Sequence, residues 1–412
     1  MSKKLSIATL ICFGLGIIGG LVVPTFCQSI EFIGTIYVNL LKMMIIPVLF
    51  CSIATSMMKT TGRFATRITA QGIGTFIGMF LTSFLISSGL ISLIQPGKNF
   101  SFTEVQWEGE LASTSLSDFF LSIFPDNIFA AMTTNSILPV IIFAFIFGIA
   151  CERIQNYNQH GIAIGVIAPI VNDKKYILTD VFTALTNAFN KMLEYVMYVT
   201  PIGVFALMGS TVANYGNAII GLSAKYILTA WGLCGVIAIL VMMVPVWVYV
   251  HINPLEYLKK VYSIWIMTLS TCSSAATLPR TIRVCNDEFK VPEKITNIIV
   301  PLGCTIHMCG GAVSFSLLAL FNMQMFGISM TPLLFLTMIL TALLINMGAP
   351  GIPGGGIIIG ATYLSILGIP LTFIGVYAGI YRLLDMAYTT MNVCGDITAN
   401  VLINHNLSKK YI

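Results

Sequence analysis

The sequence contains few charged residues, and this shortage excludes most soluble folds. Only 9% of the 412 residues are Asp, Glu, Lys or Arg, whereas 57% are hydrophobic and the mean hydropathy is +0.90. Soluble domains carry about 25% charged residues. The composition therefore predicts an all-α polytopic membrane protein. The net charge of +5 is small, and it gives no reason to expect a nucleic acid partner.

The sequence also lacks the spacings that mark metal clusters and catalytic centres. Its 10 cysteines have no paired spacing, and nearly all lie in apolar segments, where they are interpreted as small buried hydrophobes. No nucleophile–base pair emerges, so we expect neither an enzyme nor a cofactor other than coupling ions. The start, Met1-Ser-Lys-Lys and an apolar run, resembles a signal peptide without a small-x-small cleavage site, which predicts a retained first helix.

The most informative stretch runs from Leu371 to Ile403 and is predicted to be a helix. Four polar residues recur on one of its faces at helical spacing: Asp385, Thr389, Asn392 and Asp396. The surrounding segment is apolar and long enough to cross a bilayer, which takes about 20 residues. A buried carboxylate there costs several kcal/mol unless a partner, a water-filled cavity or a cation compensates it. The stripe therefore predicts a binding site. The alternative is a structural ion pair with Arg382.

Apolar segments and basic loops predict the topology. We expect spans at roughly 5–25, 31–58, 68–95, 118–170 (broken), 180–212, 222–252 and 293–325, followed by the closing helix. Basic residues mark the cytoplasmic side, and they cluster at 3–4, 59–67, 174–175, 259–260 and 409–410. The acidic loop 97–117 is expected outside. Both termini are then cytoplasmic, and 257–285 and 332–368 enter and leave on the same side.

These two stretches contain sequence that a continuous helix does not tolerate. The first includes Ser270-Thr-Cys-Ser-Ser-Ala-Ala-Thr-Leu-Pro279, and the second includes Asn346-Met-Gly-Ala-Pro-Gly-Ile-Pro-Gly-Gly-Gly356. Pro removes a backbone donor, and Gly lowers helix propensity. Broken backbone at membrane depth is tolerated where it lines a cavity, and in transporters it indicates the substrate site. The alternative is simple helix packing through small residues.

A third segment predicts local unwinding inside a span. It reads Val300-Pro-Leu-Gly-Cys-Thr-Ile-His-Met-Cys-Gly-Gly311. Unwound carbonyls and a nearby carboxylate supply the oxygen donors that a hard cation prefers. His307 is either a neutral, hydrogen-bonded core residue or a group that couples protons, since an imidazole titrates near physiological pH.

Together these motifs resemble the dicarboxylate/amino acid:cation symporters, the group of glutamate transporter homologues. The resemblance covers nearly the whole chain. It rests on Lys42-Met-Met-Ile-Ile-Pro-Val-Leu-Phe, Ser273-Ser-Ala-Ala-Thr-Leu-Pro, Gly351-Ile-Pro-Gly-Gly-Gly, and Asp385-Met-Ala with Asn392-Val-Cys-Gly-Asp396.

This resemblance implies a homotrimer in the cytoplasmic membrane with an elevator fold of about eight transmembrane helices and two re-entrant hairpins. Scaffold helices are implied at 1–67 and 118–221. A transport domain is implied at 68–117 (third helix and external loop) and 222–412 (sixth helix, first hairpin, seventh helix, second hairpin and eighth helix).

The resemblance also implies site residues. The substrate contacts would be Ser273, Ser274, Met308, Gly311, Ile352, Gly356, Asp385, Tyr388, Thr389 and Asn392, with Asp385 receiving an α-amino group. One sodium site would use Gly303, Asn392 and Asp396. A second would use Thr305 with carbonyls at Asn346, Met347 and Ala349. A third would include Thr82 and Ser83.

The sequence departs from the family pattern at positions that bear on substrate and coupling. The family motif Asn-Met-Asp-Gly-Thr reads His307-Met-Cys-Gly-Gly311, so two sodium-site residues are replaced. Tyr388 and Cys272 stand where relatives carry an arginine. Arg280, Arg283 and Arg382 remain candidates for binding a second substrate carboxylate.

We therefore expect a secondary active transporter that takes up a small amino acid with a neutral side chain by sodium or proton symport. Fewer sodium ions per cycle are expected than for the full motif. The alternatives are a glutamate, aspartate or dicarboxylate symporter, an uncoupled facilitator of the same fold, and a non-transporting membrane protein.

Overall fold

A computed structural model describes residues 3–58, 63–98, 124–134, 137–157, 177–216, 218–347 and 355–411. This part of the chain is helical and contains no strand. The helices of the first half are α1 Lys3–Val22, α2 Pro24–Ser29, α3 Glu31–Met58, α4 Arg63–Ile94, α5 Ile128–Thr133, α6 Ile137–Tyr157, α7 Ile177–Tyr198 and α8 Thr200–Tyr215. Those of the second half are α9 Ala218–Ile237, α10 Pro254–Thr271, α11 Ser274–Arg283, α12 Glu293–Ile306, α13 Cys309–Met325, α14 Pro332–Met347, α15 Gly355–Ile366 and α16 Ile374–Tyr411.

Among the described residues, three helical stretches are long and apolar enough to cross a membrane: Arg67–Ile94, Ile220–Val250 and Glu293–Met325. The number rises to five when each of two bent helix pairs is taken as one span. The predicted total of about eight spans therefore stays a prediction. The span predicted at 180–212 is broken at Val199, between α7 and α8, where the chain bends by 52° and Pro201 sits in the first turn of the next helix.

The described helices pack in two groups that touch each other. α1, α2, α3, α6, α7 and α8 pack together, and α1 lies closest along α8. At that contact Gly20 approaches the backbone of Gly209 so closely that a Cβ would clash, which is how small residues bring membrane helices together. The second group contains α4 and α9 to α16. The predicted division into scaffold and transport domains stays a prediction.

The predicted hairpin at 257–285 is broken where its small and hydroxyl residues occur. Asn253 caps α10 by accepting from the backbone N–H of Leu255 at 2.9 Å. α10 ends at Cys272, which adopts a left-handed conformation with a φ of 48°. Ser273 then caps α11 by accepting from the N–H of Ala276 at 3.2 Å. The chain therefore changes direction at Cys272 and Ser273, and α10 and α11 contact each other.

The second hairpin is described only in its two arms. α14 ends at Met347 and α15 begins at Gly355. Ala349 and Ile352, two of the predicted site residues, lie outside the described residues.

α16 is the central helix of the second group. It is continuous from Ile374 to Tyr411, and it contacts α4, α8, α9, α10, α11, α12, α13 and α15. Every residue from 391 to 401 is buried. Its polar stripe is therefore enclosed by protein, as the sequence predicted for a helix that carries a site.

Candidate functional site

A cavity of about 50 Å³ lies where α11, α13, α14, α15 and α16 meet. Its lining comprises Cys272, Ser274, Met308, Gly311, Ser314, Phe315, Asn346, Gly356, Ile359, Tyr381, Asp385, Tyr388, Thr389 and Asn392. A water molecule needs about 10–15 Å³ of such space, so the cavity holds a few waters or a small solute. Eight of the predicted substrate residues lie in this one lining: Ser274, Met308, Gly311, Gly356, Asp385, Tyr388, Thr389 and Asn392.

Asp385 provides the acidic group of the cavity. Its carboxylate accepts a hydrogen bond from the hydroxyl of Thr389 at 3.0 Å, one turn further along α16. Both side chains are buried. A carboxylate in such a place favours a cationic partner, and an amino group of a solute fits that requirement.

The position at which the family resemblance implies an arginine contributes an aromatic side chain, Tyr388, to the cavity lining. Tyr388 is buried, and its hydroxyl makes no hydrogen bond of ordinary geometry within the described part of the chain. Ser314 bonds instead to the hydroxyl of Tyr377, at 2.9 Å. The described residues that line the cavity include neither lysine nor arginine.

Two of the three candidate arginines bond to groups that do not line the cavity. Arg382 donates from Nη2 to the carbonyl of Ser270 at 2.8 Å, in the last turn of α10. A cation at a helix C-terminus also interacts favourably with the helix dipole. Arg280 donates to the hydroxyl of Ser263 at 3.1 Å. Neither side chain lines the cavity, so the candidate role in binding a second carboxylate lacks support from the geometry.

Asn346 connects the second hairpin to the break between α12 and α13. Its Nδ2 donates to the carbonyl of Met308 at 3.2 Å, while its Oδ1 is buried without a hydrogen bond among the described residues. That oxygen lies against Gly311, where a Cβ would clash with it. Asn346 was predicted to contribute a carbonyl, and its side chain turns out to face the cavity.

Several lining residues were not predicted from the sequence. Tyr381 lies four residues before Asp385, on the same helical face, and that spacing was available to find it. Its hydroxyl lies against Gly356, which leaves no room for a Cβ. Ser314 follows Gly311 by one turn on α13. Phe315 and Ile359 carry no polar signal that distinguishes them from core residues.

Ser273 differs from the prediction in its position. Its side chain caps α11 and does not line the cavity, whereas both neighbours, Cys272 and Ser274, do. Of the predicted pair Ser273 and Ser274, only Ser274 therefore lines the cavity.

The predicted first sodium site is brought together, but its oxygens are already engaged. Asp396 Oδ1 lies 2.8 Å from His307 Nδ1. The Asn392 side-chain oxygen accepts from the backbone N–H of Gly310 at 2.8 Å. The carbonyl of Gly303 accepts from the N–H of His307 at 2.9 Å. The break between α12 and α13, which the sequence predicted, is what places the imidazole between these groups.

The other predicted sodium ligands are not gathered in the described residues. Thr305 donates to the carbonyl of Leu302 at 2.8 Å within its own helix. Thr82 is exposed and bonds to the carbonyl of Gly78, also within its helix. Ser83 is fully buried whereas Thr82 is exposed, so the two side chains have different surroundings here. Met347 lines a smaller apolar cavity beside His307 and Phe76.

Cys309, His307 and Asp396 form a hydrogen-bonded row that the sequence analysis did not find. His307 Nε2 lies 2.9 Å from the Cys309 sulfur, and its Nδ1 faces Asp396. The order resembles a nucleophile, base and acid. Cys309 is fully buried and lines neither described cavity, so no solute carbonyl reaches the sulfur.

Comparisons with known proteins identify the family of the chain. A profile of the sodium:dicarboxylate symporter family matches residues 5–406. The chain is 28% identical to the proton/sodium-glutamate symport protein of Geobacillus stearothermophilus, over 100% of this chain and 98% of that protein. It is 27% identical to the proton/glutamate-aspartate symporter of Escherichia coli (strain K12), over 92% and 86% of the two chains. It is 23% identical to the C4-dicarboxylate transport protein of Yersinia enterocolitica, over 97% and 91%.

The matches extend over both packing groups and include the cavity and the row at His307. They agree with an apolar helical chain whose polar groups converge inside the protein. The chain belongs to the sodium:dicarboxylate symporter family and is a cation-coupled membrane transporter, not an enzyme.

Proposed function

We propose that this symporter takes up a small amino acid with an uncharged side chain across the cytoplasmic membrane. The observation that carries the proposal is a cavity with a carboxylate, Asp385, and with no lysine or arginine among the described residues of its lining. The carboxylate binds the α-amino group, and backbone N–H groups at the helix ends near the hairpin breaks bind the α-carboxylate.

Relatives are named for glutamate, aspartate and C4 dicarboxylates, and all of these solutes carry a second carboxylate. Burying that charge without a cationic partner costs several kcal/mol. Tyr388 cannot provide one. The described cavity is therefore a poor fit for an acidic side chain, and an acidic substrate remains the main alternative.

Two groups in the cavity favour a side chain that forms hydrogen bonds. The Asn346 side-chain oxygen is buried without a hydrogen bond among the described residues, and the buried Tyr388 hydroxyl lies near Ser314 and Tyr226 without a bond of ordinary geometry. An unpaired buried polar atom costs about 1–3 kcal/mol. A substrate hydroxyl or amide supplies the missing partner, so serine, threonine or asparagine suits the cavity better than alanine or valine.

The proposal includes the mechanism and assembly that the family resemblance implies. The protein is a homotrimer with both termini in the cytoplasm, and the second packing group moves as an elevator against the first. Sodium ions, protons or both move with the substrate. The approach of α1 to α8 through Gly20 and Gly209 supports a rigid first group.

The test is uptake by the purified protein in liposomes with defined sodium and proton gradients. Labelled serine, alanine and asparagine are compared with aspartate, glutamate and succinate. We expect concentrative uptake of a neutral amino acid that stops when the ion gradients are collapsed. Preferential uptake of an acidic solute would contradict the substrate assignment. Uptake that never exceeds equilibration would identify a facilitator instead of a symporter.

A further inference from the structure

We propose that the imidazole of His307 occupies the cation position beside Asp396, so that no sodium ion binds there. The protein then couples uptake to fewer sodium ions than the three predicted sites would hold. This inference rests on the proposed function, since coupling has a meaning only in a symporter. It concerns the ion and not the identity of the amino acid.

At this place one oxygen of each predicted sodium ligand already lies within hydrogen-bond distance of a protein group. Asp396 faces the imidazole, Asn392 faces the N–H of Gly310, and the Gly303 carbonyl faces the N–H of His307. A hard cation requires several oxygens at once. To bind Oδ1 of Asp396, it would have to displace the ring.

The ring is held from the remaining sides as well. Phe76 of α4 stacks on it with centroids 4.6 Å apart and planes 15° from parallel. Gly395, next to Asp396 on α16, lies so close to the ring carbon Cε1 that a Cβ would clash. The imidazole is therefore enclosed between α4 and α16, and the gap between its Nδ1 and the carboxylate is that of a direct hydrogen bond.

Its hydrogen bonds are complete without a metal ion. With Asp396 as acceptor, the Nδ1 atom carries a hydrogen, and the neutral ring then accepts the thiol proton of Cys309 at Nε2. The contact partly offsets the cost of burying the carboxylate, which is the role that a bound cation would otherwise fill. The two departures from the family motif, His307 and Cys309, thus act as one structural unit with Asp396.

The experiment measures sodium binding to the purified, unloaded protein through the rise in unfolding temperature with sodium concentration. A ligand that binds only the folded state produces such a rise, and the curve gives an apparent affinity. We compare the natural protein with Asp396→Asn, which keeps an oxygen for His307. We expect apparent sodium affinities equal within about twofold. A loss of about tenfold or more in Asp396→Asn, the scale seen when metal-site residues are altered, would overturn the proposal.

Two further variants remove the imidazole and the thiol from the site beside Asp396. In the double variant His307→Asn with Cys309→Asp, we expect an additional sodium-dependent stabilisation with at least about tenfold higher apparent affinity. Adding Asp396→Asn to that double variant should remove the gain. A double variant that folds and binds sodium no better than the natural protein would contradict the proposal that His307 occupies the cation position.

A measurement on the unaltered protein keeps the proposal testable if the variants do not fold. Reversal potentials in liposomes give the number of sodium ions per substrate, and we expect fewer than the three predicted sites would hold. A sodium ion for every one of those sites would overturn the inference. The amino acid panel is scored in the same liposomes. Failure of the substrate assignment is therefore recognised separately from failure of the proposal that His307 occupies the cation position.

Discussion

The two carboxylates of α16 lie on one face of one helix but have different surroundings. Asp385 lines a cavity and is bonded to Thr389, a small neutral side chain on its own helix. Asp396 lies three turns further on, is enclosed by α4, α12 and α13, and faces the imidazole of His307. The first is arranged to meet a solute and the second is filled by the protein itself. The same residue type is thus exposed to a cavity in one place and bonded within the protein in the other, because the neighbouring helices differ.

The largest expected effect concerns Asp385, the carboxylate that lines the cavity. Asp385→Asn removes the only carboxylate in the described cavity lining, and removing one partner of a buried charge pair costs about 3–5 kcal/mol. We expect substrate affinity to fall about 10²–10⁴-fold in equilibrium binding assays. Asp287→Asn alters an exposed carboxylate and serves as the control with unchanged affinity. Wild-type affinity in Asp385→Asn would show that the cavity binds its solute without an ammonium contact.

The second prediction changes the cavity wall. Tyr388→Arg places a cation where relatives carry one, so we expect the ratio of aspartate to serine uptake to rise by about 10–100-fold. Tyr388→Phe removes only the hydroxyl and should lower serine uptake without admitting aspartate. An unaltered ratio in Tyr388→Arg would place the side chain of the substrate away from Tyr388.

The third prediction concerns the packing around the His307 imidazole, beside Asp396. Gly395→Ala forces a methyl group against the imidazole, and overpacking of this kind costs about 1–3 kcal/mol. We expect a lower unfolding temperature than for the natural protein. Gly375→Ala is the matched control on the same helix, because its Cβ would meet only ordinary contact with Thr211. Equal unfolding temperatures for the two variants would mean that the ring is not enclosed as described.

The smallest effect concerns the support of Asp385. Thr389→Val keeps the shape of the side chain and removes the hydrogen bond to the carboxylate, which contributes about 1 kcal/mol. We expect a loss of about fivefold in substrate affinity, with the same preference among amino acids. A Thr389→Ser variant, which restores the hydroxyl, should recover most of the affinity. A change in preference instead would assign Thr389 a direct part in recognising the substrate side chain.

Much of the candidate site followed from local sequence. The spacing of Asp385, Thr389, Asn392 and Asp396 predicted one buried face, and α16 has it. The glycines and His307 predicted a break, which lies at His307 and Met308, between α12 and α13. Both features depend on backbone propensity and helical periodicity, which neighbouring residues determine.

The partners of these groups did not follow, because they come from distant parts of the chain. His307 and Asp396 are 89 residues apart in sequence, and Arg382 and Ser270 are 112 apart. From sequence alone, Arg382 was a candidate for pairing with a carboxylate of α16, and Asp396 was a candidate sodium ligand. The bend at Val199 was also missed, since Pro201 in an apolar run does not by itself tell how sharply the chain turns.

The shortage of charge and the helical periodicity of the sequence are enough to predict a membrane environment, a helical chain and two carboxylates on one face of α16. Which of the two carboxylates lines a cavity and which faces an imidazole depends on the packing of distant helices. The reason is physical: a helix determines the direction of its own side chains, whereas the group opposite each side chain depends on how separate helices pack.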